Sequence, residues 1–187
     1  MIKIAVDPGH GLSNVKSGRY DPGAICTDDV SGITYAEADI ALDYGLSLNW
    51  LLKQAGYSTW MSRTSSAQHT PVHKRANNAK AFGCTHFVSL HLNAHVDQQA
   101  NGVEVLYSRD DDAKKAKDIS AAIAKVTGMR DRGAKKRTDL SVLTFKGSAI
   151  LIELGFITND SDRGKLISGR EMRVKICNAI IDNLGLP

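Results

Sequence analysis

The chain has little of the chemistry that staples small secreted folds: three cysteines in 187 residues, at Cys26, Cys84 and Cys177. Odd in number and widely spaced, they make neither a disulfide framework nor a CxxC motif, and they suit synthesis in a reducing compartment. Cys84 and Cys177 have apolar neighbours and are expected in the core, and Cys26 in a loop. Prolines number only four, and no repeat, low-complexity tract or interdomain linker is visible. No apolar run approaches the roughly 20 residues of a membrane span, which argues against membrane insertion. A signal-peptide h-region with its cleavage site is also missing, because Met1 leads straight into Ile2-Lys3-Ile4-Ala5-Val6. The expectation is a protein made in the cytoplasm without a signal peptide. The net charge of +4 comes with no nucleic-acid-binding motif, so nucleic acid is not an expected partner.

What is present reads as one soluble globular domain spanning 1–187, with 42% hydrophobic and 24% charged residues, long enough to bury its own core. Strand-like and helix-like segments alternate. Ile2–Val6, Tyr57–Met61, His86–His91, Gly102–Tyr107 and the apolar Ala149–Leu154 read as strands, with a short one at Leu140–Leu143. Helical spacing appears over Ala36–Gln54, Pro71–Gly83, Asp110–Val126 and Ser168–Asn183. This order implies an α/β fold: a twisted, mostly parallel sheet of about six strands with helices on both faces. The longest stretch without regular structure, Gly11–Thr34, is expected to wall the functional site, since long loops in compact domains are usually functional.

Three distant segments each set a metal-type ligand where a strand gives way to a loop or helix. His10 follows the Asp7-Pro8-Gly9 turn after the first strand, and His91 ends the third. Both imidazoles should stand beyond the carboxyl ends of their strands, the edge at which open α/β sheets bind ligands. Glu37 opens the first long helix, where alone it would read as a solvated partner of the helix dipole. Glu153 lies inside the apolar run Ala149-Ile150-Leu151-Ile152-Glu153-Leu154. An unpaired carboxylate there costs several kcal/mol or takes up a proton, so it should face a cavity or a cation. Two imidazoles, one carboxylate and a spare glutamate are the parts of a catalytic zinc site with one open position. His86 belongs at the other end of its strand, and His69 and His73 at the surface.

Together the segments IAVDPGHG, YDPGA, EADIAL, QAGYSTWMSRTS, PVHKRANNAKAFGCTHFVSLHLNA, NGVEVLY, MRDRGAK and AILIELGFITNDSD resemble the zinc-dependent N-acetylmuramoyl-L-alanine amidases of the type-3 kind. The resemblance covers nearly the whole chain. It implies Zn2+ held by His10, Glu37 and His91, with Glu153 as the catalytic glutamate. It further implies peptidoglycan as substrate and cleavage of the amide between N-acetylmuramic acid and L-alanine. The chain departs from the family in an insertion-like stretch, Cys26 to Gly32, before Glu37. One ordinary helix fills the stretch between Tyr107 and Arg132, where some members insert an inhibitory one, so autoinhibition of that kind is not expected.

Asn93, His95 and Arg132 are candidate substrate-binding residues. The basic group Arg130, Arg132, Lys135, Lys136 and Arg137 reads as a solvated loop, or alternatively as a contact for an anionic envelope polymer. The expected setting is a monomeric phage or prophage endolysin that reaches the cell wall after release by a holin or by lysis. Two other readings remain open. The same residues suit a zinc carboxypeptidase or endopeptidase acting within the stem peptide. A non-catalytic wall-binding module would leave Glu153 without a role.

Overall fold

Residues 2–13 and 19–186 are described by the computed structural model of the chain. In chain order the elements are β1 (Lys3–Pro8), β2 (Ile25–Thr27), β3 (Thr34–Ala36), α1 (Glu37–Gln54), β4 (Ser58–Met61), α2 (Val72–Ala81), β5 (His86–Asn93), β6 (Val103–Tyr107), α3 (Ala113–Thr127), β7 (Asp131–Lys136), β8 (Ser148–Phe156), α4 (Asp160–Leu166) and α5 (Arg170–Asn183). Six strands form one sheet in the order β4-β1-β5-β8-β6-β7. All neighbours run parallel except β6 and β8. The α/β expectation with a mostly parallel sheet holds.

Strand alternation sorts the two faces. Ile4, Val6, Val88, Leu90, Val103, Val105, Ile150 and Ile152 point into a core closed by α1, α3 and α5, whose Leu48, Leu52, Ile119, Ile123, Ile176 and Ile180 are buried there. Each such fully buried aliphatic side chain contributes roughly 1.5–3 kcal/mol. Helix α3 is therefore a core element. Ala5, Phe87, Leu106, Ala149 and Leu151 point to the other face, under Ala76 and Ala79 of α2 and Val142 and Leu143. Cys84 and Cys177 are buried and Cys26 is partly exposed.

The structure corrects three expectations. Leu140–Leu143 is not a strand: Ser141–Thr144 forms a 3-10 turn. Both edges of β8 and of β6 are already paired, which leaves no partner for another strand beside them. The basic stretch around Arg132 is not a loop but edge strand β7, admitted because β6 offers a free edge and Gly133 (φ 76°) absorbs a register shift between Val103 and Val105. The stretch Gly11–Thr34 is partly ordered; its residues 14–18 lie outside the described ones. Gly11 and Asp21 pair through both backbone N–H groups. β2 and β3 form a hairpin, whose turn Asp28 organises by accepting from the N–H groups of Val30 and Ser31.

This fold sets the positions of the key residues. β1 and β5 are adjacent central strands, so their ends bring His10 and His91 together. Helix α1 starts against the same edge because the loop supplies its first partners: Glu37 N–H donates to Ala24 O, and Ala38 N–H to Pro22 O. Those bonds satisfy amides that an uncapped helix start would leave without acceptors.

Candidate metal centre

His10, Glu37 and His91 offer ligand atoms that all lie within 4.8 Å of one another. Glu37 Oε1 accepts from His10 Nε2 at 3.0 Å and from His91 Nδ1 at 2.8 Å. It also accepts from Leu92 N–H at 3.0 Å, while Oε2 accepts from Ala24 N–H at 2.9 Å. The two rings meet edge to face with centroids 4.9 Å apart. Burial pushes the Glu37 carboxyl pKa up, but His10 and His91 outweigh it and hold the group well below the carboxylate range.

The second nitrogen of His10 is engaged by Asp21, a residue that sequence reasoning gave no role. His10 Nδ1 meets Asp21 Oδ2 at 2.9 Å, and Ser13 Oγ and Gly23 N–H donate to the same carboxylate. With a proton on Nδ1, the Nε2 lone pair is free to ligate, the arrangement by which outer carboxylates orient metal-bound imidazoles. Burial opposes protonation of His10, yet Glu37 and Asp21 raise its pKa to about 9. This excess of negative charge around two nitrogens fits a divalent cation.

Two glycines make the approach possible. A Cβ on Gly9 would lie 2.3 Å from His91 Cε1, and one on Gly23 2.6 Å from Glu37 Oε2. Beneath them, two fully buried arginines hold the turn that presents His10, whose φ of 59° is left-handed. Arg63 donates to Pro8 O, Gly9 O and Ala38 O. Arg75 donates to Pro8 O, His10 O and Asp7 Oδ1. Asp7 is itself completely buried and accepts from Ser62 Oγ and Ser89 Oγ as well. Bonds of this kind can keep a non-glycine residue in a conformation that costs of order 1–3 kcal/mol. Charged residues of this type read as surface in a sequence; only the Asp-Pro-Gly-His motif hints at the buried network.

Glu153 stands beside this group as the register partner of His91. Its Oε2 is buried and has no hydrogen-bond partner among the described residues. Burial is the main cause that raises its pKa to about 7; His91 pulls it down, while Glu37 and Glu104 add to the rise. A carboxylate of this kind can exchange a proton at neutral pH. A cavity of about 200 Å³ opens on the His10 and His91 side of the group, lined also by Asp21, Ser13, Arg75, Val72 and Val142. A groove of about 310 Å³ between α1 and α5, lined by Trp50, Leu46 and a single arginine, Arg170, contains no acid–base or ligand set.

The remaining candidates are placed differently. Asn93 Nδ2 donates to Glu104 Oε1 at 3.2 Å, and Asn93 Oδ1 accepts from Ala94 N–H. Arg132 Nε donates to Glu104 Oε2 at 2.7 Å. His95 is exposed on the β5–β6 loop, where its Nδ1 accepts from Asp97 N–H. The polar partners of all three are other than His10, Glu37 and His91. His86 lies at the start of β5, remote from His91. The basic cluster is largely matched within the chain, as Lys136 pairs with Asp110 and Arg137 with Asp139.

Comparison with known proteins adds three findings. Residues 4–185 match the family model described as N-acetylmuramoyl-L-alanine amidase. The chain is 31% identical over 167 residues to N-acetylmuramoyl-L-alanine amidase LytC of Bacillus subtilis, covering 87% of this chain and 31% of that protein; it thus spans about a third of that relative's length. Among solved structures, the N-acetylmuramoyl-L-alanine amidase from Clostridium difficile 630 superposes with a TM-score of 0.81 at 29% identity, covering 98% of this chain and 94% of that one. The catalytic domain of CwlV from Bacillus (Paenibacillus) polymyxa has the same fold, with a TM-score of 0.83 at 23% identity over 98% and 96% of the two chains.

Proposed function

Because this chain belongs to the N-acetylmuramoyl-L-alanine amidase family, we propose that it is a zinc-dependent hydrolase that cleaves the amide joining N-acetylmuramic acid to the L-alanine of the peptidoglycan stem. The observation that carries the reading is the buried, unpartnered Glu153 oxygen next to three converging ligands. A wall-binding module has no use for it.

His10 through Nε2, His91 through Nδ1 and Glu37 through Oε1 would hold the metal. When bound, zinc supplies Lewis acidity toward the scissile carbonyl and brings the pKa of a coordinated water to roughly 7. Glu153 takes a proton from the attacking water at its free Oε2 and returns it to the departing alanine nitrogen, acting as base and then as acid. Asp21 keeps the His10 ring in one tautomer and orientation. The cavity bordered by Val72 and Val142 receives the acyl side of the bond and limits access of bulk water.

The test is a digest of purified peptidoglycan, read by mass spectrometry with and without a strong chelator. The expected products are intact stem peptides beginning with a free L-alanine amino group, absent when metal is removed. Cuts within the stem would indicate a carboxypeptidase or endopeptidase instead, and undiminished activity in chelator would remove zinc from the scheme.

A further inference from the structure

From the metal centre outward, the strand order β1-β5-β8-β6-β7 draws polar side chains into a row. His10 follows β1, and His91 on β5 is in register with Glu153 on β8. Glu153 is in turn directly opposite Glu104 on β6, and Arg132 and Lys135 on β7 both reach Glu104. Hydrolysis as described uses the row only as far as Glu153. The outer half has no role in it.

Two carboxylates facing each other across antiparallel strands repel, so Glu104 needs a counter-charge. Arg132 and Lys135 supply it from β7. Burial pushes the Glu104 carboxyl up, and Arg132 and Lys135 more than reverse this and keep it ionised. Glu104, Arg132 and Lys135 by themselves sum to +1, and the row balances when Glu153 is ionised. Both Glu104 oxygens are engaged, because Arg132 and Lys135 donate to Oε2 and Asn93 donates to Oε1. What is left over is donors. Lys135 and Arg132 are 44% and 25% exposed at the side chain. The Arg132 guanidinium is set in place over the Phe156 ring, 5.0 Å from its centroid, and Nη1 reaches Asn101 O. A planar cation held this way retains donors for a carboxylate at a small ordering cost.

The direction of the departing peptide follows from Glu153. It must reach the leaving nitrogen, so the amine side of the scissile bond lies toward β8, and the cavity at His10, Val72 and Val142 is left for the acyl side. Beyond the alanine the stem continues toward β6 and β7. We propose that Arg132 and Lys135, anchored on Glu104, form a subsite for the carboxylate of the stem residue that follows the alanine. The inference rests on the amidase reading and deepens it. It makes this pair a selector between stems with that carboxylate free and stems with it amidated.

The experiment uses two soluble muropeptides differing only in that group, with kcat and KM measured from release of the alanine amino terminus. The expected result is a KM roughly tenfold lower for the free carboxylate, the scale of one charge-assisted contact, shrinking as salt is raised. Lys135→Gln and Arg132→Gln should each narrow the gap to about twofold. Lys135 is exposed, so its variant keeps the test decisive if the Arg132 variant fails to fold. Equal KM values in the unmodified protein, or a preference that survives both substitutions, would overturn the subsite while leaving the amidase reading intact. Cleavage of neither substrate would overturn the amidase reading itself.

Discussion

Replacing Glu153 by glutamine separates the catalytic value of this carboxylate from its cost to the fold. In the metal-free protein its pKa rises from the ordinary 4.5 to about 7, chiefly through burial. A group that holds its proton more tightly when folded loses stability as it ionises. Below about pH 4.5 it is protonated in both states and contributes nothing to the difference. Between 4.5 and 7 the unfolded chain releases the proton first, so stability falls with rising pH, and above 7 the loss is complete. The size of that loss is about 3 kcal/mol, at about 1.4 kcal/mol for each tenfold change in proton affinity. Glu153→Gln removes the ionisation and nearly keeps the shape. Chelator-treated variant and parent should therefore differ little in urea midpoint at pH 4, and at pH 8 the variant should be the more stable by up to that amount. It should also bind zinc and turn over no substrate. A stability difference independent of pH, or a variant weaker than the parent at pH 8, would refute the argument. Loss of zinc would instead make Glu153 a ligand.

Other expectations follow from the parts around it. Asp21→Asn should weaken zinc binding by roughly 10–100-fold, measured by competition with a chromophoric chelator; unchanged affinity would remove Asp21 as the residue that orients His10. Because the His10 pKa is raised to about 9 in the free site, zinc must displace a proton, and its apparent affinity should climb about tenfold per pH unit between 7 and 9; a flat profile would contradict the ring's assigned charge. Gly9→Ala would place a methyl 2.3 Å from the His91 ring and should yield folded protein with little bound metal, checked by circular dichroism and metal content. Arg75→Leu leaves the buried Asp7 without its ion-pair partner and should cost roughly 3–5 kcal/mol, read from denaturant unfolding.

The legible parts of the molecule are those where periodicity and chemistry agree. β1, α1, β5 and β8 stand out by their apolar patterns; His10 and His91 are legible as imidazoles at strand ends and Glu153 as a carboxylate inside an apolar run, whereas Glu37 alone reads as a partner of the helix dipole and gains its role from the resemblance. Other features were hidden by the physics that built them. Arg63 and Arg75 are buried only because backbone carbonyls of the Pro8–His10 turn surround them, which no local pattern records. Asp21 resembles any loop acid until its contact with His10 is known. β7 has the charges and the glycine of a turn, and is a strand only because β6 has an open side. Asn93 follows His91 by two residues, and its donation to Glu104, a partner contributed by another strand, is likewise invisible in the local pattern.

The outermost strand has one more consequence. A sheet that ends in an uncovered strand invites a second molecule to extend it, and a protein crowded onto a solid polymer meets its own copies at high local density. β7 carries Arg132, Lys135 and Lys136, and although each has an acid partner within the chain, long charged side chains on an edge strand hinder its pairing with a second copy. The same lysine and arginine that we assign to the substrate thus also discourage end-to-end stacking, and neutralising them to alter specificity should bring a tendency to aggregate.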